Sequence, residues 1–356
     1  MTDFPGEFWH TLDDGRIQCD LCPRNCQLKD GQRGFCFVRQ NIKDKMVLTT
    51  YGRSSGFCID PIEKKPLNHF YPGTSVLSFG TAGCNLGCRF CQNWDISKAK
   101  EWDKLTDEAS PEKIAKVAKM LGCRSVAFTY NDPVIFAEYA IDIAKECHKL
   151  DIKTVAVTAG YISPEARKAF YSVMDAANVD LKAFTKEFYK KLCFADIEPV
   201  LETLIYLKNE TNVWFEVTTL LIPDENDSEE EVRKLSEWMM TNLGPDIPLH
   251  FTAFHPDFKM LDKERTPPET LRRAQLIAQD CGLHHVYVGN VYDEQYSSTY
   301  CPNCKTCLIE RNWYELGEYA IENGCCSKCK TPINGHFENT CGQWGRKRVS
   351  VNMDAF

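Results

Sequence analysis

Three cysteines, Cys84, Cys88 and Cys91, stand at the spacing C-x3-C-x2-C in the stretch Ser75–Ser97, SVLSFGTAGCNLGCRFCQNWDIS. An apolar run, Val76 to Phe79, leads into them through Gly80 and Gly83. Thiolates packed this closely after a strand suit an iron–sulfur cluster, which is held by cysteine sulfur. Cubane clusters normally take four cysteines, so a set of three leaves one iron open for an exchangeable ligand. Phe90, just before the third cysteine, would flank the cluster and offer a purine a surface to rest on. A zinc knuckle or redox thiol group fits less well, because this is not knuckle spacing.

Two further cysteine groups frame the chain. Cys19, Cys22, Cys26 and Cys36 follow C-x2-C-x3-C-x9-C, with Gly31 and Gly34 supplying turns. A segment of roughly forty residues with little aliphatic content builds no core alone, and a metal could substitute for one. Zinc and an auxiliary iron–sulfur cluster both fit these four, and spacing does not separate them. Near the other end, Cys301-x2-Cys304 and Cys326-x2-Cys329 lie twenty-one residues apart. Paired C-x2-C knuckles of this kind predict a zinc ribbon. Cys307, Cys325 and Cys341 are extra, and the last fifteen residues show no pattern.

Between these groups, short β-branched runs alternate with amphipathic helices, the pattern of βαβ units and a parallel sheet. Ser125–Tyr130, Lys153–Thr158, Asp175–Leu181, Val213–Leu221, Leu249–Phe254 and His285–Val288 read as strands after Ser75–Phe79. Helices are expected from Ser110–Pro111, near Pro133, from Pro164, over about Ile197–Lys208, from a Ser228/Glu231 capping box, and over Pro267–Cys281. Polar residues then fall at the strand ends, where parallel barrels gather their chemistry. Asn131 and Asp132 follow the second strand, and Asp180 and Lys182 end the fourth. Thr218 and Thr219 close the fifth, His255 follows the sixth, and Asn290 follows the last. Lys64, Lys65 and His69, in the loop before the cysteine strand, could touch substrate or simply pack.

Cys84-x3-Cys88-x-Phe90-Cys91 resembles the cluster motif of radical S-adenosylmethionine (SAM) enzymes, C-x3-C-x-aromatic-C. More narrowly, IDPIEKKPLNHFYPG (Ile59–Gly73), GTAGCNLGCRFCQNWDIS and HFTAFHPDFKM (His250–Met260) resemble the radical SAM member of the AmmeMemoRadiSam system. That group is related to pyruvate formate-lyase activating enzymes. The resemblance implies a [4Fe-4S] cluster on Cys84, Cys88 and Cys91, with SAM chelating the open iron. A low-potential electron donor would reduce the cluster, and SAM cleavage would yield a 5′-deoxyadenosyl radical that takes hydrogen from substrate. Asp132 stands where the family carries an acidic residue for the SAM amino group, although Asn131-Asp132-Pro133 replaces the usual Asn-Glu-Pro. Asp180 and Lys182 match positions that hold the ribose and carboxylate, and His255-Pro256 resembles the family's F-H-P.

The expected fold is α/β: a partial (β/α) TIM-like barrel of the radical SAM type over residues 74–295. A Cys-rich metal-binding segment and connecting loop occupy residues 1–73, and a zinc-ribbon-like module residues 296–356. A net charge of −8 argues against a broad nucleic-acid surface, and the short run GRKR (Gly345–Arg348) reads as a solvated face. No apolar stretch approaches the roughly 20 residues of a membrane span, and MTDFPGEFWH carries no secretion signal. Nineteen cysteines then belong on metals in a reducing cytoplasm.

The expected function is an enzyme acting on a protein or other bulky partner in the manner of the glycyl-radical activases, with other proteins of that system as candidate partners. Two alternatives stay open: radical modification or methylation of a small molecule or RNA, and a non-enzymatic iron–sulfur and zinc protein for electron transfer or scaffolding.

Overall fold

The computed structural model describes residues 4–99, 105 and 107–356. Its centre is a nine-stranded sheet. The strands are β1 (Phe57–Pro61), β2 (Ser75–Phe79), β3 (Ser125–Phe128), β4 (Lys153–Thr158) and β5 (Ala176–Asp180), then β6 (Trp214–Leu221), β7 (Leu249–Ala253), β8 (Val286–Gly289) and β9 (Val349–Val351). They lie in the order β8-β7-β6-β5-β4-β3-β2-β1-β9. Strands β2 to β8 are parallel, while β1 and β9 add antiparallel pairings at one edge. β2, β3 and β7 are buried along their whole length, as strands covered on both faces must be.

Six helices connect the parallel strands: α1 (Pro111–Met120), α2 (Ala137–Lys149), α3 (Pro164–Tyr171), α4 (Glu198–Glu210), α5 (Glu229–Asn242) and α6 (Pro268–Asp280). Ser110 caps α1 by accepting from the Lys113 N–H, and Pro111 follows it where its missing donor costs nothing. Ser228 caps α5 in the same way at 3.2 Å from Glu231 N. The reciprocal half of the expected capping box is absent, because the Glu231 carboxylate instead accepts from Phe184 N at 2.7 Å.

The two cysteine-rich ends are built onto this frame. Residues near the N-terminus form two small three-stranded sheets. Arg39 anchors them by a buried ion pair to Glu138 of α2, 2.7 Å from Oε1 and 2.9 Å from Oε2. Removing one partner of such a pair typically costs about 3–5 kcal/mol. The C-terminal segment packs its own small core of Leu308, Ile309, Ile321 and Ile333. It then returns to the central sheet, where Ser350 of β9 lies opposite Cys58 of β1.

Candidate active site

The turn after β2 carries the cysteine triad over the carboxyl rim of the sheet. Gly80 opens it where nothing larger fits, since a Cβ there would lie 2.6 Å from the Thr129 carbonyl oxygen. Asn131 then braces the turn. Its Oδ1 accepts from Thr81 N at 3.0 Å, and its Nδ2 donates to Gly83 O at 2.8 Å and Thr81 Oγ1 at 3.1 Å. The amide thus holds the loop that presents Cys84, and Asn131 also lines the cavity beside it.

Cys84, Cys88 and Cys91 all line one cavity of about 700 Å³, within the usual range for ligand sites. Burial pushes the Cys84 thiol up to about 12. Cys88 moves the other way, to about 7, because Cys193 hydrogen-bonds to it and Lys182 and Lys98 lie close by. Cys193 ends a π-helical turn, Tyr189–Cys193, whose carbonyls receive the N–H groups of Gly87 (2.8 Å, from Cys193 O) and Arg89 (2.9 Å, from Leu192 O). Such turns are rare and concentrate at functional sites. Cys193 is fully buried in the core and at the same time a neighbour of the triad.

Asp132, Asp180, Lys182, Thr218 and Phe90 line the same cavity. Asp132 is 5% exposed and caps the short helix Pro133–Phe136 by accepting from Val134 N at 3.0 Å. It also accepts from Thr158 Oγ1 at 3.0 Å and Ala159 N at 2.9 Å. A carboxylate offers about four acceptor positions, so roughly one remains for a ligand. Burial raises the Asp132 carboxyl above its ordinary range, against the pull of the N–H groups of Ala159 and Val134. Asp180 and Lys182 form an ion pair at the end of β5. Burial alone would weaken the Lys182 charge, but Asp180 and Cys88 more than offset it. Thr218 Oγ1 is buried without a hydrogen-bond partner, an available donor and acceptor on the cavity wall.

The family model described as the radical SAM superfamily matches residues 79–236, the stretch that carries the triad, Asp132, Asp180, Lys182 and Thr218. The chain carries a radical SAM domain. It is 42% identical over 92% of its length to the uncharacterized protein MJ0808 of Methanocaldococcus jannaschii, covering 98% of that protein, so the two form one family. It is also similar to the pyruvate formate-lyase-activating enzyme of Clostridium pasteurianum, at 27% identity over 57% of this chain and 90% of that one. In fold it is similar to a radical SAM methyltransferase from Sphaerobacter thermophilus, with a TM-score of 0.50 and 16% identity, over 62% of this chain and 67% of that one. It is therefore an enzyme with a radical SAM α/β fold.

Within this radical SAM fold, not every expected residue reaches the site. His255 is exposed beyond β7 and stays outside the cavity, its Nδ1 facing Pro256 O at 3.4 Å. The strand before it delivers Thr252 to the cavity instead. His69 is fully buried at the opposite side of the sheet, bonded to Tyr287 Oη at 2.6 Å and Asn334 O at 2.8 Å, so the packed alternative holds. Lys64 and Lys65 from the same loop do line the cavity. So does Arg348, the last residue of the GRKR run that reads as solvated.

The four ribbon cysteines come together: Cys301, Cys304, Cys326 and Cys329 hold their sulfurs within 4.8 Å of one another. Cys307, Cys325 and Cys341 stand outside this group. Among the described residues, no other set converges on a single point in this way. The triad needs no such convergence, since thiolates of a cluster each bind a different iron. Three sulfurs lining one cavity therefore fit the [4Fe-4S] cluster that the radical SAM domain implies. Cys19, Cys22 and Cys36 are buried together, and burial with mutual repulsion raises the Cys22 thiol far above its ordinary value. This group adjoins the triad directly: Arg24 donates to the carbonyls of Asn85 and Phe194, and Ser163 N donates to Leu21 O at 3.1 Å.

Proposed function

We propose that this enzyme reductively cleaves SAM at a [4Fe-4S] cluster on Cys84, Cys88 and Cys91 and acts on a protein or other bulky substrate. One observation carries the reading: three thiols, the Asp132 carboxylate, the Asp180–Lys182 pair and the unpartnered Thr218 hydroxyl share a single cavity. A plain electron carrier has no use for the polar groups opposite its cysteines. The bound cluster and SAM together supply the electron transfer and the 5′-deoxyadenosyl radical that takes a hydrogen atom from substrate. The protein binds, orients and keeps water out. In this scheme Asp132 receives the SAM ammonium, Asp180 the ribose diol and Lys182 the carboxylate, with Phe90 beside the adenine. Asn131 holds the triad loop and faces SAM from the same cavity.

The names of the activating-enzyme relatives support a protein substrate, and we place the chain in the AmmeMemoRadiSam system on its sequence motifs. A low-potential electron donor and cytoplasmic residence complete the proposal. Cys19, Cys22, Cys26 and Cys36 hold a metal as zinc or an auxiliary iron–sulfur cluster, and the ribbon cysteines hold zinc. Residues 1–73, 74–295 and 296–356 act as appendage, barrel and appendage, with Phe57–Pro61 and Val349–Val351 tied into the barrel sheet. Modification of a smaller substrate is the second reading, favoured because Tyr314 and Arg348 of the C-terminal segment help to wall the cavity.

Changing Cys84, Cys88 or Cys91 to alanine tests the central claim. Each variant should lose deoxyadenosine formation from SAM on reduction, together with one cluster's worth of iron. Full cleavage in any one of them would sink it.

A further inference from the structure

The part of the cavity nearest β1 and β9 is built from residues that SAM binding leaves unused. Cys58 comes from β1, Lys64 and Lys65 from the turn after it, Tyr130 from just past β3, and Arg348 from the run into β9, with Asp60 of β1 buried behind them. Asp60, fully buried, is the hub. Its Oδ2 accepts from Lys65 Nζ at 2.6 Å and Tyr130 Oη at 2.7 Å, and its Oδ1 accepts from Lys64 Nζ at 2.9 Å. Arg348 Nε lies 4.0 Å from the same Oδ1, and the Cys58 thiol is close enough to support its charge. Cys58 Sγ is 2.7 Å from Tyr130 Oη, so thiol and phenol close the wall between the charges.

The charges do not cancel. Lys64, Lys65 and Arg348 surround one carboxylate, which leaves an excess of two positive charges facing a cavity. Lys65 is 2% exposed, and an ammonium carries three donors, of which Asp60 takes one. A buried cation is costly unless something pairs with it. Asp60 keeps the cluster stable when empty, and an incoming anion would complete it.

We propose that this end of the cavity binds an oxyanion of the substrate, a carboxylate or a phosphate, with Lys64, Lys65 and Arg348 as its ligands. The proposal rests on the radical SAM reading for the claim that the ligand is a substrate. It also gives the C-terminal segment a task, because pairing of β9 with β1 is what brings Arg348 to the cavity. A segment folded around its own cysteines thereby sets substrate specificity at a distance.

The test is isothermal titration of inorganic pyrophosphate and of glutarate into the cluster-reconstituted, SAM-bound protein. One of the two should bind, and which one tells phosphate from carboxylate recognition. Arg348→Gln and Lys64→Gln should each weaken that binding about ten- to a hundredfold, the scale of one charge-assisted hydrogen bond. Asp60→Asn removes the competing carboxylate, keeps one acceptor for Lys65, and should tighten it. Deoxyadenosine release by the same wild-type preparation reports separately on the radical SAM reading. Binding by neither anion, or equal affinity in wild type and both cation variants, would overturn the oxyanion site.

Discussion

The carbonyl oxygen of Cys36 faces Gly83 so closely that a Cβ on that glycine would lie 2.0 Å from it. The N-terminal cysteine group and the triad are therefore fitted to each other at backbone level, because Cys84 is the next residue. Gly83 also has a φ of +82°, a conformation that costs other residues about 1 kcal/mol or more. Gly83→Ala meets both penalties at once and must displace either Cys84 or the Cys36 loop. It should reconstitute with less iron and lose SAM-dependent deoxyadenosine release. Gly122→Ala is the control, at a φ of +68° with open space around it, and should keep its iron. Iron content and visible absorbance of the two variants decide the matter; equal cluster loading would break the link.

Much of this arrangement is legible in the sequence, and the exceptions have physical causes. The strand Lys153–Thr158 and the Ser110 cap fall where periodicity and cap chemistry place them. The triad is legible from spacing alone because cluster ligation is local. β9 is not, since Val349–Val351 has no pattern of its own and becomes a strand only by pairing with Phe57–Ile59. Asn131 and Asp132 look alike in sequence as polar residues after a strand, yet Asn131 braces the triad loop while Asp132 caps the next helix and ties to β4, a division that only the fold displays. His255 shares that strand-end position but its loop turns it outward. The oxyanion cluster needs three distant segments, so no window of sequence displays it.

The ribbon should carry one zinc ion in a closed, four-thiolate site. Cys301 Sγ and Cys329 Sγ stand 3.5 Å apart, and Cys304 Sγ and Cys326 Sγ 3.7 Å, crowding that four deprotonated sulfurs would not tolerate without a cation. Zinc contributes about 10–16 kcal/mol in small finger peptides. Treating the full chain with a strong chelator should therefore lower its melting temperature and release close to one equivalent of zinc. Cys304→Ala should lower that release by one equivalent and leave the triad's absorbance in place. Zinc content unchanged by Cys304→Ala would place the metal elsewhere.

Stability should depend on pH through Glu63. Burial lifts its carboxyl from an ordinary 4.5 to about 7, against the pull of Arg311 and the Gly73 N–H, and its Oε2 has no hydrogen-bond partner. A raised carboxyl binds its proton more tightly folded than unfolded. Its contribution is thus complete below about pH 4.5 and is lost as pH rises through about 7. At roughly 1.4 kcal/mol per pKa unit the loss is of order 3 kcal/mol. Glu63→Gln keeps the acceptor that Gly73 N uses at 2.7 Å and removes the titration. Denaturant melts of both proteins should converge near pH 4.5, and the variant should pull ahead by pH 8. A stability difference that stays constant across this interval would show that Glu63 does not titrate there.

Asp132 should position the SAM amino group rather than move protons. Its three internal hydrogen bonds fix the carboxylate rigidly at the rim it shares with the triad, and an ionised carboxylate accepts strongly from an ammonium. Losing one such bond costs about 1.5–3 kcal/mol, or ten- to a hundredfold in affinity. Asp132→Asn keeps the size and one acceptor oxygen, so it can still receive Val134 N or Ala159 N but not both, and it carries no charge for SAM. It should weaken SAM binding by that factor with the cluster spectrum intact. Asp132→Glu adds a methylene to a side chain that caps Pro133–Phe136, so its effect separates two demands. Retained SAM affinity in the glutamate variant means that charge matters and the cap can give way. Titrating SAM into wild type and both variants at matched iron content measures this directly. Unchanged affinity in Asp132→Asn would rule the role out.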